Sequence, residues 1–158
     1  MALCLSLAVG AAPAAAGRPA TSGPAAMLET PLFDGTKFSL ASRRGRVVVV
    51  MLWATWCPIC RRELPKLEQF HRENAAKGLD IVALSIDSNA AVARDYVRNK
   101  GFTFAAGWRS AGRDNFGRIR GTPTTYLIGR RGTILARTEG ELDIGDWWSI
   151  EDEIANKP

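Results

Sequence analysis

Two cysteines separated by two residues, Cys57 and Cys60, are the residues of this chain best suited to chemistry. A disulfide stabilises a fold mainly by closing a long loop, and this pair would close only a very short one. Reactivity therefore explains the pair better than stability does, and the Cys-x-x-Cys spacing is typical of redox-active thiols. In thiol–disulfide exchange, a thiolate attacks a disulfide sulfur and a second thiol resolves the mixed disulfide.

The cysteines lie where a predicted strand gives way to a predicted helix. The apolar, β-branched run over 46–53 is typical of a central strand covered by helices on both faces, and a helical pattern follows over 57–77. We expect Cys57 at the helix N-terminus, partly exposed, where free N–H groups and the helix dipole stabilise a thiolate. Pro58 suits the first helical position, and Cys60 follows one turn later on the same face, more buried. Pro65 inside the helix predicts a kink.

The rest of the pattern alternates between strands and helices. We predict a hairpin over 32–40, a strand over 80–86, a helix over 90–100 capped by Asp87 or Ser88, and a short strand over 102–106. The segment 109–119 is weakly helical in pattern. A second hairpin joins 124–128 to 133–137, and a last helix covers about 143–156. This order predicts an α/β fold with one parallel half and one hairpin half.

Length and charge indicate a single domain and argue against a nucleic-acid-binding protein. A chain of 158 residues with 46% hydrophobic residues is long enough for one domain with a single core. The net charge of +5 comes from small, scattered groups of arginines rather than from a continuous basic stripe. Nucleic-acid binding is therefore not expected, whereas docking of acidic partners remains open.

The N-terminal segment differs in composition from the rest. Residues 1–16 are uncharged, apolar and then alanine-rich, which predicts a signal-peptide-like leader or a membrane anchor, although no positive residue precedes the apolar run. Cys4 lies in this leader. Residues 17–27 have the composition of a flexible linker, and 28–158 form the predicted folded domain.

A metal site is not expected from the sequence. A zinc site built on Cys57 and Cys60 would need a further Cys or His pair, and the chain has a single histidine, His71. That histidine lies eleven residues beyond Cys60 on the same predicted helix, about 16 Å along its axis. One metal ion cannot bind both.

From about Leu28 to the last helix, the sequence resembles the thioredoxin superfamily and, within it, the exported TlpA/ResA/CcmG-like proteins. The matching motifs, in chain order, are Asp34-Gly35, Phe38-Ser39-Leu40, Gly45-Arg46-Val47-Val48-Val49-Val50, Trp53-Ala54-Thr55-Trp56-Cys57-Pro58-Ile59-Cys60, Pro65 and Gly121-Thr122-Pro123-Thr124-Thr125. The resemblance implies a thioredoxin fold with an N-terminal β-hairpin. It also implies an inserted strand and helix between positions 87 and 121.

The resemblance also implies roles for individual residues. Pro123 should form a cis peptide bond in a loop facing the cysteines, and the Thr122 backbone should pair with an extended substrate segment. The predicted substrate-binding residues are Trp56, Pro58, Ile59, Thr122 and Pro123. Glu63 matches a glutamate that tunes the cysteines in the TlpA/ResA branch, although a glutamate near a helix start can also be a simple exposed residue. Met51 stands where plain thioredoxins carry a buried aspartate, so an aspartate-assisted mechanism does not carry over.

The function implied is thiol–disulfide exchange with exported protein thiols, in the direction of reduction and without a metal or organic cofactor beyond the Cys57–Cys60 disulfide. The resemblance further implies a periplasmic or exported location, in soluble or membrane-anchored form, and a membrane redox partner that recycles the pair. Three alternatives stay open: a disulfide-forming oxidant, a peroxiredoxin-like peroxidase, and a metal- or partner-binding module of the same fold. Ala54 counts against the peroxidase, which needs a threonine at that position.

Overall fold

The computed structural model of the protein describes residues 26–156. Its strands are β1 (Leu28–Pro31), β2 (Lys37–Ser39), β3 (Val47–Trp53), β4 (Leu79–Ser85), β5 (Ala105–Trp108), β6 (Arg113–Asp114), β7 (Thr124–Ile128) and β8 (Ile134–Glu139). Its helices are α1 (Pro58–Asn74), α2 (Ala90–Lys100) and α3 (Ile144–Ala155). Short 3₁₀ turns cover Leu40–Arg43, Ala75–Lys77 and Arg109–Ala111.

The predicted leader and residues 17–25 lie outside the described residues. The last two residues of the predicted linker are attached to the domain: Ala26 N–H donates to Gly132 O at 2.8 Å, and Met27 N–H donates to Asn115 Oδ1 at 2.8 Å. None of the helices in 26–156 is both long enough and apolar enough to cross a membrane.

A five-stranded mixed sheet with the order β5-β4-β3-β7-β8 forms the centre of the fold. Strand β3 runs parallel to β4 and antiparallel to β7, so it occupies the middle position. All seven residues of β3 are buried, as the apolar run over 46–53 predicts. The expected parallel half and hairpin half are both present, since β7 and β8 pair antiparallel.

The two faces of the sheet are covered by different kinds of element. Val49, Met51 and Trp53 of β3 belong to the core that the three helices close. Val50 and Leu52 face the other core, which is covered by the small sheet β2-β1-β6 and by the segment around Phe116. The prediction of helices on both faces is therefore wrong. An apolar run shows that both faces of a strand are covered, but it does not show by what.

The segment 109–119 contains no α-helix, contrary to the sequence pattern. After the 3₁₀ turn Arg109–Ala111, β6 pairs with β1 and brings Gly112 against it. A Cβ on Gly112 would stand 2.7 Å from Glu29 O, so only glycine permits this approach. Arg109 then fixes the segment through two hydrogen bonds to the Asp114 carboxylate, at 2.8 and 2.9 Å. Strand pairing and this ion pair outweigh the weak helical pattern.

The two predicted hairpins and the last helix are confirmed with small shifts in their bounds. Strands β1 and β2 pair antiparallel, and the connecting turn contains Gly35 at φ +86°. Helix α3 begins with a reciprocal capping box between Asp143 and Asp146. On α3, Trp147 packs on Phe70 at a ring separation of 5.0 Å, and Trp148 is exposed.

Glu68 joins helix α1 to the segment that leads into β5. Its carboxylate accepts hydrogen bonds from Thr103 N–H at 2.7 Å, Thr103 Oγ1–H at 2.8 Å and Phe104 N–H at 3.4 Å. Arg72, one turn later on α1, also donates to it. Burial raises the pKa of Glu68, but the hydrogen bonds from Arg72 and Thr103 outweigh burial and hold the pKa below its usual value.

We predict that Glu68→Gln lowers the free energy of unfolding at pH 7 by about 1–3 kcal/mol, because one acceptor oxygen of a buried group is replaced by a donor. A carboxyl with a lowered folded-state pKa stabilises the fold above its unfolded pKa and loses this contribution as the pH falls through the folded value. The difference between wild type and variant should thus shrink below about pH 4.3. Chemical denaturation at several pH values measures it.

The matched control is Glu73→Gln on the exposed face of the same helix, where the carboxylate has Gln69 as its only partner within residues 26–156. This variant should unfold like the wild type at every pH. A Glu68→Gln difference that stays constant down to pH 3 would contradict the role of the Glu68 charge.

Candidate active site

Cys57 and Cys60 form a disulfide at the start of α1, directly after the carboxyl end of β3. Cys57 is the N-cap residue in extended conformation, and Pro58 occupies the first helical position. The Cys60 N–H donates to Cys57 Sγ at 3.1 Å, so the sulfur occupies the place of a capping oxygen. In the reduced protein, this position offers a thiolate an N–H donor and the positive end of the helix dipole. The predicted placement of both cysteines is confirmed.

Cys57 is less exposed than the sequence suggests. Only 3% of the residue is accessible, although its neighbours are open: Trp56 is 65% exposed, and Pro58 is exposed as well. Because the Cys57 side chain caps the helix, its sulfur is turned inward and lies 3.5 Å from Thr122 O. The prediction of a partly exposed Cys57 is therefore wrong for the disulfide form, and the accessible surface at the site belongs to Trp56 and Pro58.

The loop before β7 lies against the disulfide. The Thr122–Pro123 peptide bond is cis, as the resemblance implies. The loop is held in place by Thr124 Oγ1–H, which donates to Gly121 O at 2.7 Å, and by Gly140 N–H, which donates to Pro123 O at 2.8 Å. Pro123 is buried and Thr122 is half-buried, so the loop presents Thr122 at the surface beside Cys57.

Five predicted substrate-binding residues thus surround the disulfide in two groups. Trp56, Pro58 and Ile59 lie in the active-site segment itself, and Thr122 and Pro123 lie in the facing loop. Ile59 is half-buried and packs against the helix-side core. Met51 and Trp53 are fully buried in the helix-side core.

Asp87 is a buried acidic residue beside the active-site segment. The sequence pattern predicts it as a possible cap of the following helix. Its carboxylate accepts hydrogen bonds from Thr55 N–H at 3.1 Å, Thr55 Oγ1–H at 2.7 Å and Ser85 Oγ–H at 2.6 Å. Asp87 therefore holds the residue that precedes Trp56, and it does not cap α2. The cap of α2 is Asn89, whose side chain accepts Ala91 N–H at 2.9 Å, so the prediction of Asp87 or Ser88 as cap is wrong.

The position of Asp87 in the sequence could have predicted this role. The residue follows the buried strand β4 at its carboxyl end, and β4 is the parallel neighbour of β3. The carboxyl ends of parallel strands meet at one edge of a sheet, which is where sites form in α/β folds. The backbone O of Asp87 also accepts the indole N–H of Trp108 at 2.7 Å, which joins β5 to the same edge.

Glu63 is buried on α1, one helical turn after Cys60. This burial excludes the interpretation of Glu63 as a simple exposed residue of the first turns. Its carboxylate binds Lys66 Nζ at 2.8 Å and accepts Leu142 N–H at 3.3 Å. The hydrogen bond to Glu63, followed by the one to Glu141, raises the pKa of Lys66. Glu63 and Lys66 thus form an ion pair in which the glutamate is buried and the lysine is half-exposed.

His71 lies near the far end of α1, away from the cysteines. It is half-buried, and burial lowers its pKa, so the imidazole is mainly neutral at pH 7. Within 26–156, no three His, Cys, Asp or Glu side chains are grouped closely enough to bind a metal ion.

Comparison with known proteins places these features in a family context. The family model described as Redoxin matches residues 12–152. The thiol-disulfide oxidoreductase ResA of Oceanobacillus iheyensis is 30% identical over 112 residues, which cover 70% of this chain and 58% of ResA. The chain therefore spans less than two thirds of the length of this relative.

Solved structures agree with the fold. A thioredoxin-family thiol:disulfide interchange protein from Chlorobium tepidum superposes with a TM-score of 0.71 and 25% identity, covering 89% of this chain and 99% of its own. StoA from Bacillus subtilis superposes with a TM-score of 0.64 and 22% identity, covering 82% of this chain and 98% of its own. The predicted thioredoxin fold, with its additional N-terminal hairpin sheet, is confirmed.

Proposed function

Because this chain belongs to the Redoxin family, we propose that it is a thiol–disulfide oxidoreductase that reduces disulfides in exported proteins. One observation carries the proposal: the Cys57–Cys60 disulfide caps α1, and Thr122 of the cis-proline loop lies 3.5 Å from Cys57 Sγ. This arrangement combines a position that stabilises a thiolate, a second thiol one turn away and an adjacent backbone segment for a substrate.

The reaction begins with the reduced protein. The Cys57 thiolate attacks one sulfur of the substrate disulfide, which forms a mixed disulfide and releases the other substrate sulfur as a thiolate. The Cys60 thiolate then attacks Cys57 Sγ, which breaks the mixed disulfide and releases the second substrate thiolate. Two electrons pass to the substrate, both substrate sulfurs take up protons, and the protein ends with the Cys57–Cys60 disulfide. A dithiol donor must return two electrons before the next cycle.

The substrate binds beside the cis-proline loop as an extended segment. Thr122 is half-buried at the surface and offers its backbone to a passing chain, in the manner of an added edge strand. The exposed Trp56 and Pro58, together with Ile59, supply apolar contact area on the other side of the disulfide. The substrate sulfur thus reaches Cys57 between two surfaces that recognise backbone and apolar side chains, without a requirement for one particular sequence.

Reduction is the proposed direction because of the resemblance to TlpA/ResA/CcmG-like proteins, which mostly reduce disulfides in apocytochromes and other exported proteins. The same resemblance and the apolar composition of residues 1–16 support an exported location, with the segment either removed or retained as an anchor. The recycling donor is then a membrane redox partner that carries a reduced dithiol. Run backwards, the same steps would oxidise a substrate dithiol.

Glu63 is proposed to tune the cysteines. It lies three residues after Cys60 on α1, and residues with this spacing are neighbours on a helix surface. Its buried negative charge opposes formation of a second negative charge on a nearby thiol. The bond to Lys66 offsets part of this effect, and because that lysine is half-exposed, the offset depends on salt.

Variants of the two cysteines test the reaction itself. We predict that Cys57→Ser abolishes turnover with a peptide disulfide, because the attacking sulfur is lost. Cys60→Ser should instead accumulate a mixed disulfide between Cys57 and the substrate, because no thiol remains to resolve it. Non-reducing electrophoresis and intact mass measure the adduct. Turnover by Cys57→Ser would contradict the assignment of Cys57 as nucleophile.

The reduction potential of the Cys57–Cys60 pair tests the direction. We expect a value near or below about −270 mV by equilibration against a strong dithiol, as for a reductant of the thioredoxin type. A value near about −120 mV would identify an oxidant and contradict the proposed direction. Pro58→Ala measured in the same way shows how much the residue at the first helical position contributes.

For Glu63→Gln, we predict that alkylation of Cys57 in the reduced protein reaches half its maximal rate at a lower pH. Removing a buried negative charge near Cys60 favours a thiolate, and Lys66 loses its closest partner and adds to this effect. The measurement is the pH profile of iodoacetamide labelling. Glu73→Gln on the same helix should leave the profile unchanged. Superimposable pH profiles for Glu63→Gln and wild type would contradict the tuning role and show that Glu63 is purely structural.

A further inference from the structure

We propose that the arginine cleft beside the cis-proline loop binds an acidic segment of the substrate protein, next to the disulfide that is reduced. The arginine cleft is defined by its lining residues, which are Phe116, Arg118, Ile119, Arg120 and Arg137, and it has a volume of about 770 Å³. This inference rests on the proposed function, since it names the class of substrate that the Cys57–Cys60 site prefers.

Two arginines of the cleft carry unneutralised charge. Arg118 and Arg120 are both exposed, and neither forms an ion pair or a hydrogen bond with any residue in the described part of the chain. The third, Arg137, pairs with Glu139 and donates from Nε to Tyr126 Oη at 3.1 Å. No acidic residue lines the cleft. Its net charge is therefore positive, and it attracts carboxylates.

The cleft lies next to the cis-proline loop in the chain. Arg120 precedes Thr122 by two residues, so their Cα atoms are at most about 7 Å apart. Thr122 O in turn lies 3.5 Å from Cys57 Sγ. A polypeptide that pairs with the Thr122 backbone therefore passes close to Arg120, within a few residues of its reacting cysteine.

The floor of the cleft is held by aromatic stacking and by hydrogen bonds. Phe116 stacks on Tyr126 at a ring separation of 4.5 Å, and Tyr126 Oη–H donates to Phe116 O at 3.0 Å. Arg109 Nη2–H donates to Gly117 O at 2.7 Å, which fixes the chain just before Arg118. The two free arginines thus project from a backbone that is held at Phe116 and Gly117 on one side and at the cis-proline on the other.

Arg61 places a further positive charge on α1, near the disulfide. It lies four residues after Cys57 on α1, one helical turn along the same face, and it is exposed. Its neighbour Arg62 is paired with Glu141, whereas Arg61 has no ion-pair partner among residues 26–156. A substrate that carries acidic residues near its disulfide therefore also meets the positive charge of Arg61.

The experiment compares three peptides of equal length, each with one internal disulfide flanked by glutamates, by lysines or by neutral residues. Rates of reduction by the pre-reduced protein are divided by the rate for the neutral peptide. We expect the acidic peptide to react about tenfold faster than the basic one at low salt, with the ratio falling toward one at about 1 M salt. The double variant Arg118→Glu/Arg120→Glu should invert this order.

The matched control is Arg44→Glu/Arg131→Glu, which changes the net charge by the same amount. Both arginines are exposed, and they lie near the hairpin turn at the other end of the sheet, where Gly45 N–H donates to Arg130 O at 2.9 Å. This control should keep the preference of the wild type. An equal loss of preference in both double variants would assign the effect to net charge and overturn the role of the cleft.

Two further outcomes separate this inference from the proposed function. Reduction of all three peptides at equal rates by the wild type would overturn the acidic-substrate inference while leaving the oxidoreductase activity intact. Failure to reduce any peptide, including the neutral one, would overturn the proposed function and the inference with it. Glutathione disulfide serves as a small anionic probe: if Arg118→Glu/Arg120→Glu slows its reduction as much as that of the acidic peptide, the cleft binds small carboxylates and not a polypeptide segment.

Discussion

The hydrogen bond from Cys60 N–H to Cys57 Sγ is the interaction on which the rest of the site depends. It makes a sulfur the N-cap of α1, which brings Cys57, the proposed nucleophile, to a helix N-terminus, where backbone N–H groups stabilise negative charge. A thiol elsewhere on the helix surface would lack this support. The remaining structure serves to fix where α1 begins. Strand β3 is buried on both faces over its whole length, so the point at which the chain leaves the sheet cannot shift without exposing core residues.

Three neighbouring strands converge at this point, and each contributes a different component. Strand β3 supplies the active-site segment, and β7, antiparallel to it, begins directly after the cis-proline and brings Thr122 to Cys57. Strand β4, parallel to β3, ends two residues before Asp87, whose carboxylate holds both the N–H and the hydroxyl of Thr55. The active-site segment is therefore held from both sides by neighbours in the same sheet, and its geometry follows from strand order rather than from helix packing alone.

Features with a local physical signature could be predicted from the sequence. The Cys-x-x-Cys pair at a strand–helix junction and the buried strand β3 follow from residue types and spacing, and the cis bond before Pro123 follows from a recognised motif. Apart from the cap of α2, which is Asn89, the failures concern tertiary contacts. The burial of Cys57 depends on a loop 65 residues away, and the extended conformation after Arg109 depends on pairing with β1. Periodicity contains no information on either contact, because both partners are distant in the chain.

Three buried carboxylates, those of Glu63, Glu68 and Asp87, differ in how their negative charges are compensated. Glu68 accepts two backbone N–H groups and a hydroxyl, and Asp87 accepts one backbone N–H and two hydroxyls, so their negative charges are spread over fixed donors. Glu63 accepts a single backbone N–H, at 3.3 Å, and depends otherwise on a half-exposed lysine. Its charge is the least compensated of the three, and it is also the one that shares a helix with Cys60. A buried charge that lacks fixed donors is destabilising unless it interacts favourably with something else, and the proposed effect of Glu63 on the protonation of Cys57 and Cys60 would be such an interaction.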